Sequence, residues 1–325
     1  MTSSLPDELL QVFERSVTAE FATVDGRGQP IVWPVNPYYH HGEGCIDVTT
    51  ALANPKKAYH AARNPHVALL FSDPTGSGLA DPPAVLVQGT AVVDDADLEA
   101  NRERYHRESA AKFPATQRMP VPAPLRRLLA WHYGRIYLHV RPERIFVWPH
   151  ADPQAEPQLF DAHLEEVRSG HNEEAEGPHE PIEGGLDRWH PRLDELGREH
   201  RSAVLAIVAP DGFPFAARVP VRADRGAHVV RIETDPVGAP LEPGLACLCA
   251  HAHAPDLSWR RNFQVRGDLV EQDGGWVLHP HKVVHGIELP PESAIDRCRR
   301  TARRLSRSRR TAKAELARRA TAPRR

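Results

Sequence analysis

Two adjacent lysines, Lys56 and Lys57, follow directly on Asn54-Pro55. Asn before Pro marks a helix start, with Asn54 placed to cap the first amides and Pro55 suited to the first helical position. The lysines then fall in the first helical turn, where the macrodipole is already positive, at a cost of about 0.3–1 kcal/mol per cation. An anion offsets that cost. A Lys ammonium is a compact point charge suited to phosphate, and uncapped helical amides add to its field. The plainer reading is a solvated helix face with exposed ammoniums.

Other residues also invite chemistry. The run "CLCAHAHA" sets Cys247, Cys249, His251 and His253 on one face of a strand. Alternate residues lie about 6.6 Å apart along a strand, so all four cannot converge on one ion, although a pair such as Cys249 and His251 can with help from elsewhere. The blander reading is a core strand ending in an exposed His-rich turn, and no metal site is expected. "HPHKVVHG" (279–286) and His40-His41 hold imidazoles adequate as haem axial ligands. The four cysteines include no C-x-x-C pair, so neither a disulfide framework nor a zinc framework is expected. No G-x-S-x-G, P-loop or G-x-G-x-x-G stands in the right context, which argues against hydrolase, kinase and Rossmann dehydrogenase readings.

Charge is distributed unevenly. The segment from Arg297 to Arg325 holds 13 Arg and Lys against one acid, Glu315, while the rest of the chain holds 28 basic and 42 acidic residues. Such a tail binds polyanions weakly, but it lacks interleaved aromatics and any base-reading module, so no specific nucleic acid is expected. The alternative is a solvated helix that folds back on the acidic remainder. No apolar run of roughly 18 residues is present, so no membrane span is expected. The N-terminus lacks a basic start followed by an apolar core, and the expected compartment is the cytoplasm.

Short strands separated by Gly-Asp turns must position these groups. "VTAEFATVD" (about 17–25), "PIVWPVNPYYHH", "CIDVTT", "HVALLFSD" and "AVLVQGTAVVDD" read as strands, and the lysine-bearing segment (about 54–63) as a helix. Residues 96–132 read as helical, 134–149 as a strand pair or one long bent strand, and 158–168 as a helix inside an acidic linker. The chain then repeats itself. Asp25-Gly26 and Pro34-Val35 recur as Asp211-Gly212 and Pro220-Val221, "VVRIETD" parallels "CIDVTTA", and Gly267 matches Gly89 inside a strand. An internal strand Gly marks a bulge or a close approach by another backbone or a ligand. The helix does not recur, because the shorter "DPVGAPLEP" (235–243) takes its place. The expected fold is mainly β with peripheral helices: two tandem antiparallel split β-barrels forming a pseudo-dimer. The expected divisions are 1–149 for the cofactor-binding barrel, 150–190 for the acidic linker, 191–290 for the degenerate second barrel and 291–325 for the basic tail.

The series "ATVDGRGQPIVWPV", "GCIDVTT", "NPKKAYHAARNPHVALLF" and "VLVQGTAVV" resembles the pyridoxamine 5′-phosphate oxidase-like split β-barrel superfamily, which binds flavins and deazaflavins. The resemblance covers roughly 8–95 and 134–149, and more weakly 194–286. It implies FMN, or alternatively a deazaflavin, in a cleft between two barrels, with haem as a further reading. Carried over, Thr49 and Thr50 offer hydroxyls to the phosphate, Lys57 the charge, and Lys56 auxiliary charge. The ring lies along Trp33, Pro34, Val35 and Asn36, with Val87, Gln88 and Gly89 approaching from a neighbouring strand. Trp259, Arg260 and Arg261 would face the ring or phosphate from the second barrel, or form a surface turn. The family's "R-x-V-L-L-K" strand is replaced by "IVWPVN", and its closing Arg-x-His pair and C-terminal Arg-Leu-x-Pro have no convincing counterpart, so vitamin B6 oxidation is not expected. The implied activity is a flavin-dependent oxidoreductase that passes hydride to or from a small molecule; the alternative is a non-catalytic flavin- or haem-binding protein.

Overall fold

A computed structural model describes residues 5–40, 42–113, 134–161, 186, 188–289 and 308–319. His41, the acidic stretch 162–185 and most of the Arg-rich end lie outside the described residues. Helix α1 (Asp7–Arg15) leads into β1 (Ala19–Val24), β2 (Pro30–Val35), β3 (Tyr38–Tyr39), β4 (Ile46–Ala51), α2 (Lys56–Arg63), β5 (His66–Phe71), β6 (Ala84–Asp94), α3 (Leu98–Lys112), β7 (Arg135–Trp148) and β8 (Gln158–Asp161). The second half holds β9 (Ser202–Val208), β10 (Pro214–Asp224), β11 (Val229–Ile232), β12 (Gly244–His253), β13 (Arg260–Gln272) and β14 (Gly275–Leu289). Residues 308–319 are helical. Among the described residues no helix is long and apolar enough to cross a membrane.

The two halves share one strand order. The first sheet runs β2-β1-β5-β6-β7-β4-β3, with β8 beside β7; the second runs β10-β9-β12-β13-β14-β11 and closes by pairing β11 with β10. All the pairings are antiparallel, as expected from the short strands and turns. In the first sheet β2 and β4 are not neighbours, so that barrel stays split, and α2 lies in the connection after β4. The corresponding connection after β11 contains no helix.

Alternation of side chains builds two cores from one sheet. On β1, Ala19 and Phe21 point into the first barrel with Phe13, Val48, Leu69 and Leu138. Ala22 points the other way and joins Val32, Leu70 and Leu86 in a core shared with Leu205, Phe215, Leu248 and Val265 of the second barrel. Both faces of β1 are therefore buried. Strands β2 and β10 carry the contact: β2 packs on β12, β9 and β13, and β10 packs on the corresponding β5, β1 and β6. Glutamine side chains stitch the same surface, with Gln29 Nε2 donating to the Ala246 carbonyl (3.0 Å) and Gln88 Nε2 to that of Pro214 (2.9 Å). Gln264 Nε2 donates to the Val32 carbonyl.

At the centre of this surface lies Glu20, fully buried on β1. It accepts from Arg218 (2.9 Å) and Ser72 (2.9 Å) and meets His251 Nε2 at 2.6 Å. Burial raises its pKa, but the hydrogen bond from His251 and the charge of Arg218 outweigh that, and the carboxyl titrates below its usual value.

Some open expectations resolve and others change. Residues 135–148 form one strand, because β6 pairs along its whole length past a single bulge. Residues 158–161, expected to begin a helix, instead add an edge strand to β7. The Asn54 side chain does not cap α2; the Asn54 carbonyl accepts from Thr50 Oγ1 (2.7 Å) and closes the turn instead. The helical part of the basic tail folds back on the first barrel. Ala312 packs with Leu52, Ala58 and Ile136, and Arg319 pairs with Asp95 (2.5 Å).

Gly89 and Gly267 each sit at a register shift. A Cβ on Gly89 would stand 2.0 Å from the Arg141 carbonyl oxygen, and one on Gly267 2.1 Å from that of His279. The close approach is thus made by the neighbouring strand's backbone. Gly89→Ala and Gly267→Ala are each expected to destabilise the chain by about 3 kcal/mol or more, since neither carbonyl can leave its ladder. Urea midpoints check this; a change under about 1 kcal/mol at either position refutes the reading.

Candidate functional site

The helix α2 starts where the sequence places it, and its lysines separate by role. Lys56 is exposed and Lys57 half-buried. Burial pushes the Lys57 pKa down to about 8, opposed by the Cys249 sulfur on β12. Lys57 therefore faces the second barrel across the seam. Among the described residues it has no hydrogen bond or ion-pair partner. Cys249 does not neutralise it, because burial holds that thiol well above its usual range.

Arg266 adds to the same region. Its guanidinium donates to Gln264 Oε1 (3.3 and 3.2 Å) and has no carboxylate partner among the described residues. Its charge reaches His60 on α2. Burial lowers the pKa of His60, Asp25 opposes the shift, and Arg266 and Lys56 reinforce it. Other partly buried arginines, Arg104, Arg192 and Arg218, all contact carboxylates. The seam beside α2 thus gathers Lys57, Arg266 and Lys56 with little counter-charge. The sequence reading missed Arg266, though a signal was present: aligning Gly89 with Gly267 puts Arg266 at the position of Gln88.

The other expected residues distribute unevenly. Strand β2 ends the sheet, so its edge away from β1 is free of a strand partner. At that edge Trp33 is half-buried and reaches Gly286 of β14, where a Cβ would come within 2.7 Å of the indole. Pro34, Val35 and Asn36 line a cleft of about 40 Å³ that His251, His253 and Arg260 close from the second barrel. Asn36 Nδ2 donates to the Val17 carbonyl (2.8 Å). Thr50 is spent on the turn before α2. Thr49 lies on the opposite face of β4, shared with Asp47 and paired in register with Tyr137, so the two hydroxyls do not point to one place. Gln88 and Gly89 lie on β6, three strands from β2, or about 14 Å along the sheet. The buried Gln88 Oε1 has no partner. The structure brings Lys56 and Lys57 to the seam and Pro34, Val35 and Asn36 to its cleft; Gln88 reaches the seam apart from them, through its bond to the Pro214 carbonyl, and Thr49 and Gly89 lie elsewhere.

Groups singled out for other chemistry also find places. Arg261 pairs with Glu195 (2.8 Å) and Glu199 (2.6 Å) within the second half, so its charge is not offered across the seam. Trp259 is half-buried in the turn, with its carbonyl accepting from Ala254 (2.9 Å). His40 meets Glu108 (2.9 Å) beneath α3, while His279 is exposed on β14. His251 and His253 are buried, not part of an exposed turn.

No family model and no curated protein matches the chain. Solved structures do resemble it. A putative pyridoxamine 5′-phosphate oxidase from Listeria innocua is 17% identical, covering 44% of this chain and 98% of its own, with a TM-score of 0.32. A protein described as an F420 reductase is 19% identical over 41% of this chain and 92% of its own, with a TM-score of 0.31. A conserved hypothetical protein from Mycobacterium tuberculosis is 18% identical over 52% and 95%, with a TM-score of 0.35.

An uncompensated ammonium in a packed seam opposes folding. The folded pKa of Lys57, about 8, lies below its unfolded value of 10.5, so the penalty is fully present below pH 8 and vanishes as pH rises toward 10.5. Lys57→Met is therefore expected to raise Tm at pH 7 in cofactor-free protein, with the gain shrinking at pH 10. A Tm equal to or below that of the parent at pH 7 refutes this.

Proposed function

We propose that the seam beside α2 binds the phosphate of a flavin-class cofactor, FMN or a deazaflavin, and that the chain is an oxidoreductase acting on a small molecule. The observation that carries the reading is Lys57, a half-buried ammonium without a partner at a helix start that faces a second barrel. Arg266 and Lys56 supply further charge. A dianionic phosphate fits such a set, since it restores the charge balance that the seam lacks. The free edge of β2 from Trp33 to Asn36 would meet the polar rim of a ring with backbone N–H and C=O groups. When bound, the cofactor supplies the hydride chemistry. The chain's own residues hold the phosphate, present the strand edge and, through the second barrel, exclude water.

The two halves are read as tandem copies that form a pseudo-dimer. The shared strand order, the bulge glycines at matching places and the reciprocal packing of β2 and β10 support this. The proposed units remain 1–149 and 191–290, joined by 150–190 and followed by the basic 291–325. Because the second half has no helix after β11, only the first half carries a lysine pair, and one cofactor per chain is expected.

Titration with FMN and with a deazaflavin, followed by absorbance and fluorescence, tests the reading. One equivalent should bind, and Lys57→Ala should weaken it about 10–100-fold, the range for losing a charge-assisted contact. Affinity should fall as pH rises through 8, where free Lys57 loses its proton, and that fall should disappear in the variant. Unchanged affinity in Lys57→Ala refutes the phosphate site; absence of binding by either cofactor refutes the cofactor class.

A further inference from the structure

The seam holds a second constellation, farther along β12 than Cys249. His251 and His253 lie on one face of β12, and Asp73 follows β5 in the first half. His251 Nδ1 lies 3.7 Å and His253 Nε2 3.4 Å from Asp73 Oδ2, and one donor atom from each of the three residues falls within 4.8 Å of the others. We propose that His251, His253 and Asp73 bind a divalent first-row transition cation, zinc in the first instance, between the two halves. This proposal is independent of the cofactor reading.

The spacing carries the first part of the argument. Both distances exceed the 2.7–3.2 Å of ordinary hydrogen bonds, so the two imidazoles meet the Asp73 carboxylate only as long contacts at ion-pair range. Tetrahedral zinc with bonds of 2.0–2.1 Å to nitrogen and oxygen requires donors about 3.3 Å apart. The two observed separations lie close to that edge.

The far atoms carry the second part. His251 Nε2 lies between Glu20 Oε1 at 2.6 Å and the Arg218 guanidinium at 2.8 Å; in the tautomer that gives the Nε2 proton to Glu20, Nδ1 presents a lone pair. His253 Nδ1 meets the Ala254 carbonyl at 2.9 Å, which places that proton on Nδ1 and the lone pair on Nε2. Asp73 Oδ1 accepts from the Thr75 amide at 3.0 Å, leaving Oδ2 to face the imidazoles. Each donor is thus oriented by a hydrogen bond on its opposite side, as carboxylates and carbonyls orient metal-bound histidines. Thr18 Oγ1, 3.0 Å from His253 Nε2, is placed to donate to that lone pair in the absence of an ion.

The surroundings fit an ion. The loop after β5 is fixed to the second half, since a Cβ on Gly76 would stand 2.5 Å from the Pro255 carbonyl oxygen. His251 and His253 border the cleft with Pro34 and Asn36, which leaves a way in and room for a water as fourth ligand. Two imidazoles and one carboxylate suit zinc, cobalt or iron, not magnesium or calcium. The sequence favours no metal site, and the one pair it offers, Cys249 with His251, is not used, because Nδ1 of His251 turns to Asp73 and Cys249 lies toward Lys57.

Chelator-treated full-length chain is titrated with Zn²⁺ by calorimetry and with Co²⁺ by visible absorption. One equivalent of either should bind, Zn²⁺ should raise Tm, and Co²⁺ should show the d–d bands of a nitrogen-ligated, low-symmetry ion. His253→Gln and Asp73→Asn should each weaken binding at least about 100-fold. His139→Gln, which alters the separate group Cys45, Asp47 and His139, should not. No uptake by the parent chain, or equal binding in both seam variants, overturns the site; a seam that takes only a proton shows itself as no uptake. If a variant fails to fold, the Co²⁺ spectrum of the parent decides, and absence of those bands overturns the proposal.

Discussion

A carboxylate with no access to water sits at the middle of this molecule. Glu20 lies on the face of β1 that looks away from the first barrel, and two of the groups that stabilise its charge, Arg218 and His251, belong to the second. Removing the second half would leave that face, with Ala22, Val32, Leu70 and Leu86, open to solvent around a charge built for burial. A buried ion pair of this kind adds little net stability relative to apolar packing, but breaking one side of it is costly. Its consequence is positional. It ties β1 to β10 and β12 at fixed points, and every seam group inherits its place from that tie.

The seam then separates its charges into kinds. Glu20 is matched by a guanidinium and an imidazole. Lys57 and Arg266, also in the seam, are matched by no carboxylate among the described residues. Packed cations without a counter-charge are expensive, while Glu20 in the same seam is fully matched. Under the proposed function, the cofactor phosphate supplies the counter-charge that the cationic group lacks. The three donors around Asp73 make the same contrast in another form, as lone pairs oriented from behind by partners of their own.

The sequence made much of this legible, and its omissions have a common cause. Period-two alternation and Gly-Asp turns located the strands, and the internal repeat foretold two halves with one strand order. The lysine-bearing helix stood out because its cations sat at the wrong end. What alternation could not say was which face of a strand meets the other half. Thr49 and Thr50 read as a pair, yet adjacent strand residues point to opposite faces, and only Thr50 lies toward α2. No local pattern marks Glu20 or Asp73, because their partners lie 231 and about 180 positions away. Arg266 looked like one arginine among many. Residues 158–161 read as helical because a four-residue edge strand leaves too short a pattern to distinguish.

One difference between the halves bears on where the proposed site lies. The second sheet closes by pairing β10 with β11, and its connection beyond β11 is short. In the first, α2 occupies the corresponding connection and β2 and β4 stay apart. An open strand edge is ordinarily a liability, since it offers unpaired backbone groups to any passing chain. Here the second half covers part of it: Gln264 takes the Val32 carbonyl, and Trp33 lies against Gly286 where a side chain would collide. Beyond Trp33 the edge borders the cleft, where Pro34 to Asn36 face His251 and Arg260 without a paired strand. Keeping one barrel split therefore produces two features together, a helix start that delivers a cation and a strand edge that keeps its backbone groups available. Closing the other removes both.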